Sequence, residues 1–120
     1  MLNCVPYGDG GFGVRSHRPG DFKRGEIMAK TLYMVVERFK GGDPVPVYRR
    51  FRDSGRLAPD GLSYVSSWVD HSLERCYQLM ETDDAQLLHQ WIAQWSDIVD
   101  FEVIPVITSA EAAARVAPRL

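Results

Sequence analysis

Two carboxylates stand inside otherwise apolar runs of this 120-residue chain: Glu37, after Val35-Val36, and Glu102, between Phe101 and Val103. Carboxyl groups brought together in a partly apolar pocket have their pKa values pushed apart, which supplies one proton donor and one acceptor at the same pH. Glu37 and Glu102 are therefore the candidate catalytic residues, as a coupled acid and base. Tyr64, Trp68 and Gln78 are the candidate ligand-binding residues: the rings offer flat apolar contact to an organic molecule and the amide can orient it. The structural alternative pairs Glu37 with Arg38 or Arg75 at a strand end and leaves Glu102 in solvent.

The remaining reactive side chains point to less. His71 and His89 are the histidines of the periodic part of the chain, and His71 is the better metal candidate. Neither has a second ligand at metal spacing, and a site needs three or four converging donors, so no metal or other cofactor is expected. Cys76 sits mid-strand, where cysteine behaves as a small buried hydrophobe, and no neighbouring base marks it as a nucleophile. Arg49, Arg50, Arg52 and Arg56 form a basic helix end that reads as a solvated face favouring the helix dipole. Trp91 and Trp95 follow an apolar stripe and read as core.

These residues depend on elements that the pattern marks well. Thr31 to Phe39 is β-branched and aromatic, stops at Gly41-Gly42, and reads as a first strand. Asp43-Pro44 opens a helix in which Val47, Tyr48 and Phe51 share one side, ending near Ser54-Gly55. Pro59-Asp60-Gly61 is a turn, followed by strands over Leu62 to Val69 and Glu74 to Glu81, close enough to form a hairpin. Thr82-Asp83 caps a second helix carrying Leu87, Leu88, Trp91, Ile92 and Trp95 on one face. Ile98 to Ile107 makes a fourth strand, with Pro105 arguing for an edge position or a bulge. Thr108 and Glu111 form a capping box for a short alanine-rich helix ending before Pro118.

The order β-α-β-β-α-β, then α, gives an α+β fold of the ferredoxin-like kind: a four-stranded antiparallel sheet with two helices on one face and a short C-terminal helix. Alternation divides each strand between two faces. One consistent division puts Leu32, Met34, Val36, Val65, Val69, Tyr77, Leu79, Phe101 and Val103 under the helices. The opposite face then carries Tyr33, Val35, Glu37, Tyr64, Ser66, Trp68, Cys76, Gln78, Met80, Glu102 and Ile104. This division needs an odd-length loop or a bulge in the hairpin, and a one-residue slip exchanges the sets. The face without helices is too apolar to lie bare, so a homodimer, with a small-molecule pocket on the sheet face, is expected.

Residues 1–27 hold most of the glycines and no apolar periodicity, which reads as disordered chain, so residues 1–29 are expected to be an extension and residues 30–117 the domain. The G-x-G-x-x-G at Gly8, Gly10 and Gly13 lacks the strand before it and the helix after it that a dinucleotide site requires. Met28-Ala29-Lys30-Thr31 reads as a start of translation, with Lys23 to Glu26 as the in-frame image of a ribosome-binding site. A net charge of −2 supplies no attraction for nucleic acid or an anionic membrane. Two cysteines make no disulfide framework, and no apolar run approaches a secretory signal or a span, which places the chain in the cytoplasm.

Taken together, Val36-Glu37-Arg38-Phe39, Val47 to Arg52, Pro59 to Leu62, Ser67-Trp68-Val69, Glu74 to Glu81, Trp91 to Trp95 and Asp100 to Val106 resemble a bacterial family known as domain of unknown function 3303. The resemblance runs from Met28 to about Ala114. It implies a fold similar to the dimeric α/β-barrel proteins, in which two sheets pack face to face. That group includes monooxygenases, haem-degrading enzymes, isomerases and non-catalytic modules, and the family brings no established catalytic residues. Two functions are therefore expected from different classes: a cofactor-independent enzyme or binder acting on a small organic molecule, and a non-enzymatic oligomerisation or protein-interaction module.

Overall fold

The structure, a computed structural model, describes residues 29–120. The expectations of disorder, of a coincidental glycine motif and of a start at Met28 fall on residues 1–28, outside the described residues.

Strand β1 (Thr31–Phe39) leads through a tight turn at Lys40–Gly42 into helix α1 (Val45–Ser54). Asp43 Oδ1 accepts the Val45 N–H at 3.0 Å, satisfying a donor that the first turn leaves unpaired. Strands β2 (Ser63–Val69) and β3 (Arg75–Thr82) form the hairpin. Helix α2 (Ala85–Ala93) starts one residue later than the sequence suggests, because Asp84, not Thr82 or Asp83, accepts the Gln86 N–H. Strand β4 (Val99–Val106) and helix α3 (Ser109–Val116) follow, with Thr108 accepting the Glu111 N–H at 3.0 Å as the capping box requires.

The sheet runs β2-β3-β1-β4 with every pair antiparallel, the ferredoxin-like order, and Pro105 lies on the edge strand β4. No helix among the described residues is long and apolar enough to cross a membrane.

The division of the faces differs from expectation on the two central strands. Val35, Glu37 and Phe39 of β1 and Cys76, Gln78, Met80 and Thr82 of β3 are buried, whereas Leu32, Met34, Val36, Tyr77 and Leu79 are only half-buried. The helices therefore cover the set that includes Glu37, and the open side carries Leu32, Met34, Val36, Tyr77 and Leu79. Both sets are apolar, so alternation shows that two faces exist without choosing between them. The packing of the helices chooses: Phe39 meets Tyr48 of α1 edge-on at 6.2 Å, and Phe101 meets Trp91 of α2 at 6.1 Å. On β4 the expectation holds, with Phe101 and Val103 on the helix side and Glu102 and Ile104 on the open side.

A bulge is present in β2, between Tyr64 and Ser66. It changes the parity of the strand, so Tyr64 pairs with Met80 on the helix side while Trp68 pairs with Tyr77 on the open side. In an unbroken strand residues four apart share a face; here they do not. Cys76 is wholly buried, as expected of a small apolar side chain in mid-strand.

Candidate functional site

Glu37 lies two residues before the end of β1, flanked across the sheet by Cys76 of β3 and Phe101 of β4, and is only 5% exposed. Its Oε2 accepts a hydrogen bond from Gln78 Nε2 at 2.5 Å. Gln78 Oε1 in turn accepts from Arg56 Nε at 2.9 Å. The guanidinium therefore settles which way the amide points: its oxygen must face Arg56, so its N–H must face Glu37. Burial pushes the Glu37 carboxyl from 4.5 up to about 7, a rise only partly offset by the Gln78 hydrogen bond and the Arg56 charge.

Arg56 reaches this position through the segment between α1 and β2. Leu57 adopts a left-handed backbone, φ 65°, which is uncommon for a non-glycine residue. The preceding carbonyl of Arg56 accepts hydrogen bonds from the indole N–H groups of both Trp91 and Trp95, each at 3.0 Å. Two buried N–H donors that would otherwise be orphaned thus pin the segment. The guanidinium lies 3.9 Å from the Tyr64 ring centroid and 5.6 Å from that of Phe51. Stacked between rings, a buried cation keeps part of the stabilisation it loses with water.

Apolar side chains from three elements flank this chain of polar groups. Val47, Tyr48 and Phe51 come from α1, Trp91 and Trp95 from α2 and its C-terminal turn, and Phe101 from β4. They line a cavity of about 20 Å³, to which Glu37, Arg56 and Gln78 also contribute. That volume admits roughly one water molecule. Burial, with the Glu37 charge adding to it, pushes the Tyr48 hydroxyl up to about 12, so it remains a donor at any physiological pH. Among the described residues the second oxygen of Glu37, Oε1, has no hydrogen-bond partner. A carboxyl that titrates near neutrality, held at one oxygen and unpartnered at the other, can give or take a proton inside an apolar chamber.

The residues singled out from the sequence divide between two places. Glu37, Gln78 and Tyr64 are brought together, although under the helices instead of on the open face. Tyr64 stacks on Arg56, and its hydroxyl lies 3.2 Å from Ser67 Oγ. Trp68 is on the other side of the sheet, 53% exposed. Glu102 is there too, exposed and opposite Val36, whereas Glu37 faces Phe101. The Glu37–Glu102 acid–base pair is therefore not formed, because the two side chains leave adjacent strands on opposite faces. His71 is exposed in the β2–β3 turn, His89 is exposed on α2, and no group of three metal-ligating side chains converges among the described residues.

The basic cluster also divides. Arg50 and Arg52 make ion pairs at the surface with Asp97 and Asp53, whereas Arg56 turns inward and is 7% exposed. Nothing in the segment Gly55 to Ala58 marks that inversion, since the acceptors that fix it come from distant elements. For Glu37 and Gln78 a signal exists: each shares strand parity with buried apolar neighbours, Val35 and Phe39 in one case and Cys76 and Met80 in the other.

No curated protein and no solved structure matches the chain. A family match covers residues 31–120, the whole described domain from the first residue of β1 onward. On that match the chain belongs to the family described as Domain of unknown function (DUF3303).

Proposed function

We propose that the chain binds a compact organic molecule in the chamber around Glu37 and that Glu37 exchanges a proton with it, without a tightly held cofactor. The observation that carries this is a carboxyl 5% exposed and lining a cavity, whose Oε1 has no hydrogen-bond partner among the described residues. Leaving a buried acceptor unsatisfied costs about 1–3 kcal/mol, so a ligand hydroxyl or amide placed there recovers a cost the fold already bears. The aromatic walls favour a flat, largely apolar molecule with one acidic or hydrogen-bonding group. Gln78 and Arg56 act as positioning residues that hold Oε2 and leave Oε1 to the ligand.

The test is a thermal-shift screen of small phenols, organic acids and carbonyl compounds on the full chain at pH 6 and pH 8, repeated on Glu37→Gln. Compounds that bind the native state raise its melting temperature. A stabilising compound whose effect disappears or loses its pH dependence in Glu37→Gln supports the proposal. Stabilisation unchanged in the variant, or no stabilising compound at all, counts against it.

Assembly through the open sheet face is a second function favoured by its own observation. Trp68 is 53% exposed and Ile104 40% on a face that also carries the half-buried Met34, Val36, Tyr77 and Leu79. Both signs of charge occur there, with Arg38 opposite Arg75 toward one end and Glu102 beside Val36 nearer the middle. A two-fold interface sets a patch against itself, so it requires a surface of both signs that can complement its own copy. The homodimer proposed on these grounds leaves the Glu37 chamber intact within each subunit. Sedimentation of Trp68→Ala and Leu79→Asp checks it: folded monomers are expected, and an unchanged mass argues against this face.

A further inference from the structure

The cavity beside Glu37 has room for roughly one water molecule, so any larger occupant requires a wall to move. The two helices that form the wall are not held equally. Helix α2 buries Leu88 and Trp91, and the indole N–H groups of Trp91 and Trp95 are tied to the Arg56 carbonyl. Helix α1 buries only Val47. Its remaining cavity-lining side chains, Tyr48 and Phe51, are half-buried.

The ends of α1 differ from those of α2 as well. Gly41 and Gly42 precede it with φ values of 70° and 68°, and Gly55 follows it with φ 77° and ψ −165°. These are conformations that glycine adopts without steric cost, so both connections can change φ and ψ more cheaply than any side-chain-bearing residue could. Between the hinges, one side chain clasps α1 to the far wall. Arg50 donates from Nη1 and Nη2 to the two oxygens of Asp97 at 2.8 and 2.7 Å, and from Nη1 to the Gln94 carbonyl at 2.8 Å. Its guanidinium lies 5.5 Å from the Trp95 ring. The clasp thus spans from α1 to the turn between α2 and β4, beside the tryptophan that lines the chamber.

We propose that α1 is a hinged cover for the Glu37 chamber, and that the Arg50–Asp97 clasp sets how often it opens to admit a ligand. Arg50 is a positioning residue here, acting through the helix it fastens. Because Arg50 holds the Asp97 carboxyl down to about 2, the clasp stays charged across physiological pH and opens by thermal fluctuation or by competition from an anion, not by protonation.

The cover rests on the reading of the chamber as a ligand site, but its test follows helix opening alone, so the two can fail separately. The chain has three tryptophans, and Trp68 is the exposed one on the opposite face. In a Trp68→Phe background, fluorescence therefore reports Trp91 and Trp95, and acrylamide quenching reads access to the chamber. Arg50→Ala and Asp97→Ala are each expected to raise the quenching constant about threefold, the scale of losing one partly exposed ion pair. Arg52→Ala is the control: it removes the 2.7 Å pair with Asp53, which lies within the same helix and fastens it to nothing else.

Hydrogen exchange on the same proteins separates a moving cover from a loosened fold. Faster exchange confined to α1, with β1 and β3 amides still protected, supports the proposal. Unchanged quenching in both clasp variants overturns it, as does an equal rise in Arg52→Ala or exchange accelerated equally in α1 and the central strands.

Discussion

The two faces of one sheet are built from nearly the same residue types, yet they have opposite characters. On the helix side, Val35, Glu37, Cys76, Gln78 and Met80 are each at most 5% exposed, and the polar pair among them is linked to a buried arginine. On the open side, Met34, Val36, Tyr77 and Leu79 are half-buried at best, and the charged residues meet solvent. Hydrophobicity alone does not separate the faces. What separates them is whether their polar groups are partnered, since a buried polar group is tolerated only where its hydrogen bonds are supplied.

The largest expected effect comes from placing the same new charge on adjacent residues of β1. Val35→Asp puts an unpaired carboxylate at a position with no exposure, where nothing replaces the lost hydration. A cost of about 4 kcal/mol or more is expected, enough to unfold a domain of ordinary stability or leave it marginal. Met34→Asp, one residue away, is expected to fold with a loss of about 1 kcal/mol and to abolish the self-association proposed for the open face. Urea unfolding with sedimentation decides it: comparable destabilisation by both variants would erase the distinction between the faces.

Next in size is the pH dependence that Glu37 gives to stability. In the unfolded chain its carboxyl titrates near its ordinary 4.5, and in the folded chain near 7. Between these values the folded state binds more protons than the unfolded one, so stability falls as pH rises through this window and levels off above it. The whole loss amounts to about 3 kcal/mol. Glu37→Gln keeps a carbonyl for the Gln78 N–H and removes the charge. The variant is expected to match the parent near pH 4.5 and to be more stable by up to about 3 kcal/mol at pH 8. Parallel unfolding free energies for the two proteins across this range would show that the carboxyl is not the titrating group.

Most of the architecture is legible in the sequence, and the reasons are local. Asp43-Pro44, Thr108 to Glu111 and Gly55 act on hydrogen bonds within a few residues of themselves, so the helix ends follow from spacing. The edge position of β4 follows from Pro105. The site is less legible because it depends on parity and on distant partners. Glu37 and Gln78 are identifiable as polar residues in buried sets, but which set meets the helices depends on packing that β1 and β3, apolar on both faces, leave open. Tyr64 and Trp68 read as neighbours until a single extra residue at the bulge sends them to opposite sides. Arg56 reads as one more surface arginine because its acceptor on Gln78 and the indoles that hold its backbone lie 22, 35 and 39 residues further along the chain.

The smallest expected effect is also the one that most directly tests the separation of the two carboxylates. Glu102→Gln makes the same chemical change as Glu37→Gln, on the neighbouring strand, but on the exposed face and without a buried partner. A change within about 0.5 kcal/mol is expected at both pH 5 and pH 8, the usual size for a substitution on an exposed side chain. The double variant is expected to be additive within about 0.5 kcal/mol, since the sheet backbone lies between the two groups and they share no hydrogen-bond partner. Coupled carboxyls would behave otherwise: removing one charge would release the other, and the pH dependence left by Glu37 would shift toward lower pH in Glu102→Gln. An unfolding series from pH 4 to pH 9 on the single and double variants reads both quantities. A shifted transition would restore the coupled pair of carboxyls, whereas an unmoved one leaves the pH dependence of stability to Glu37 alone.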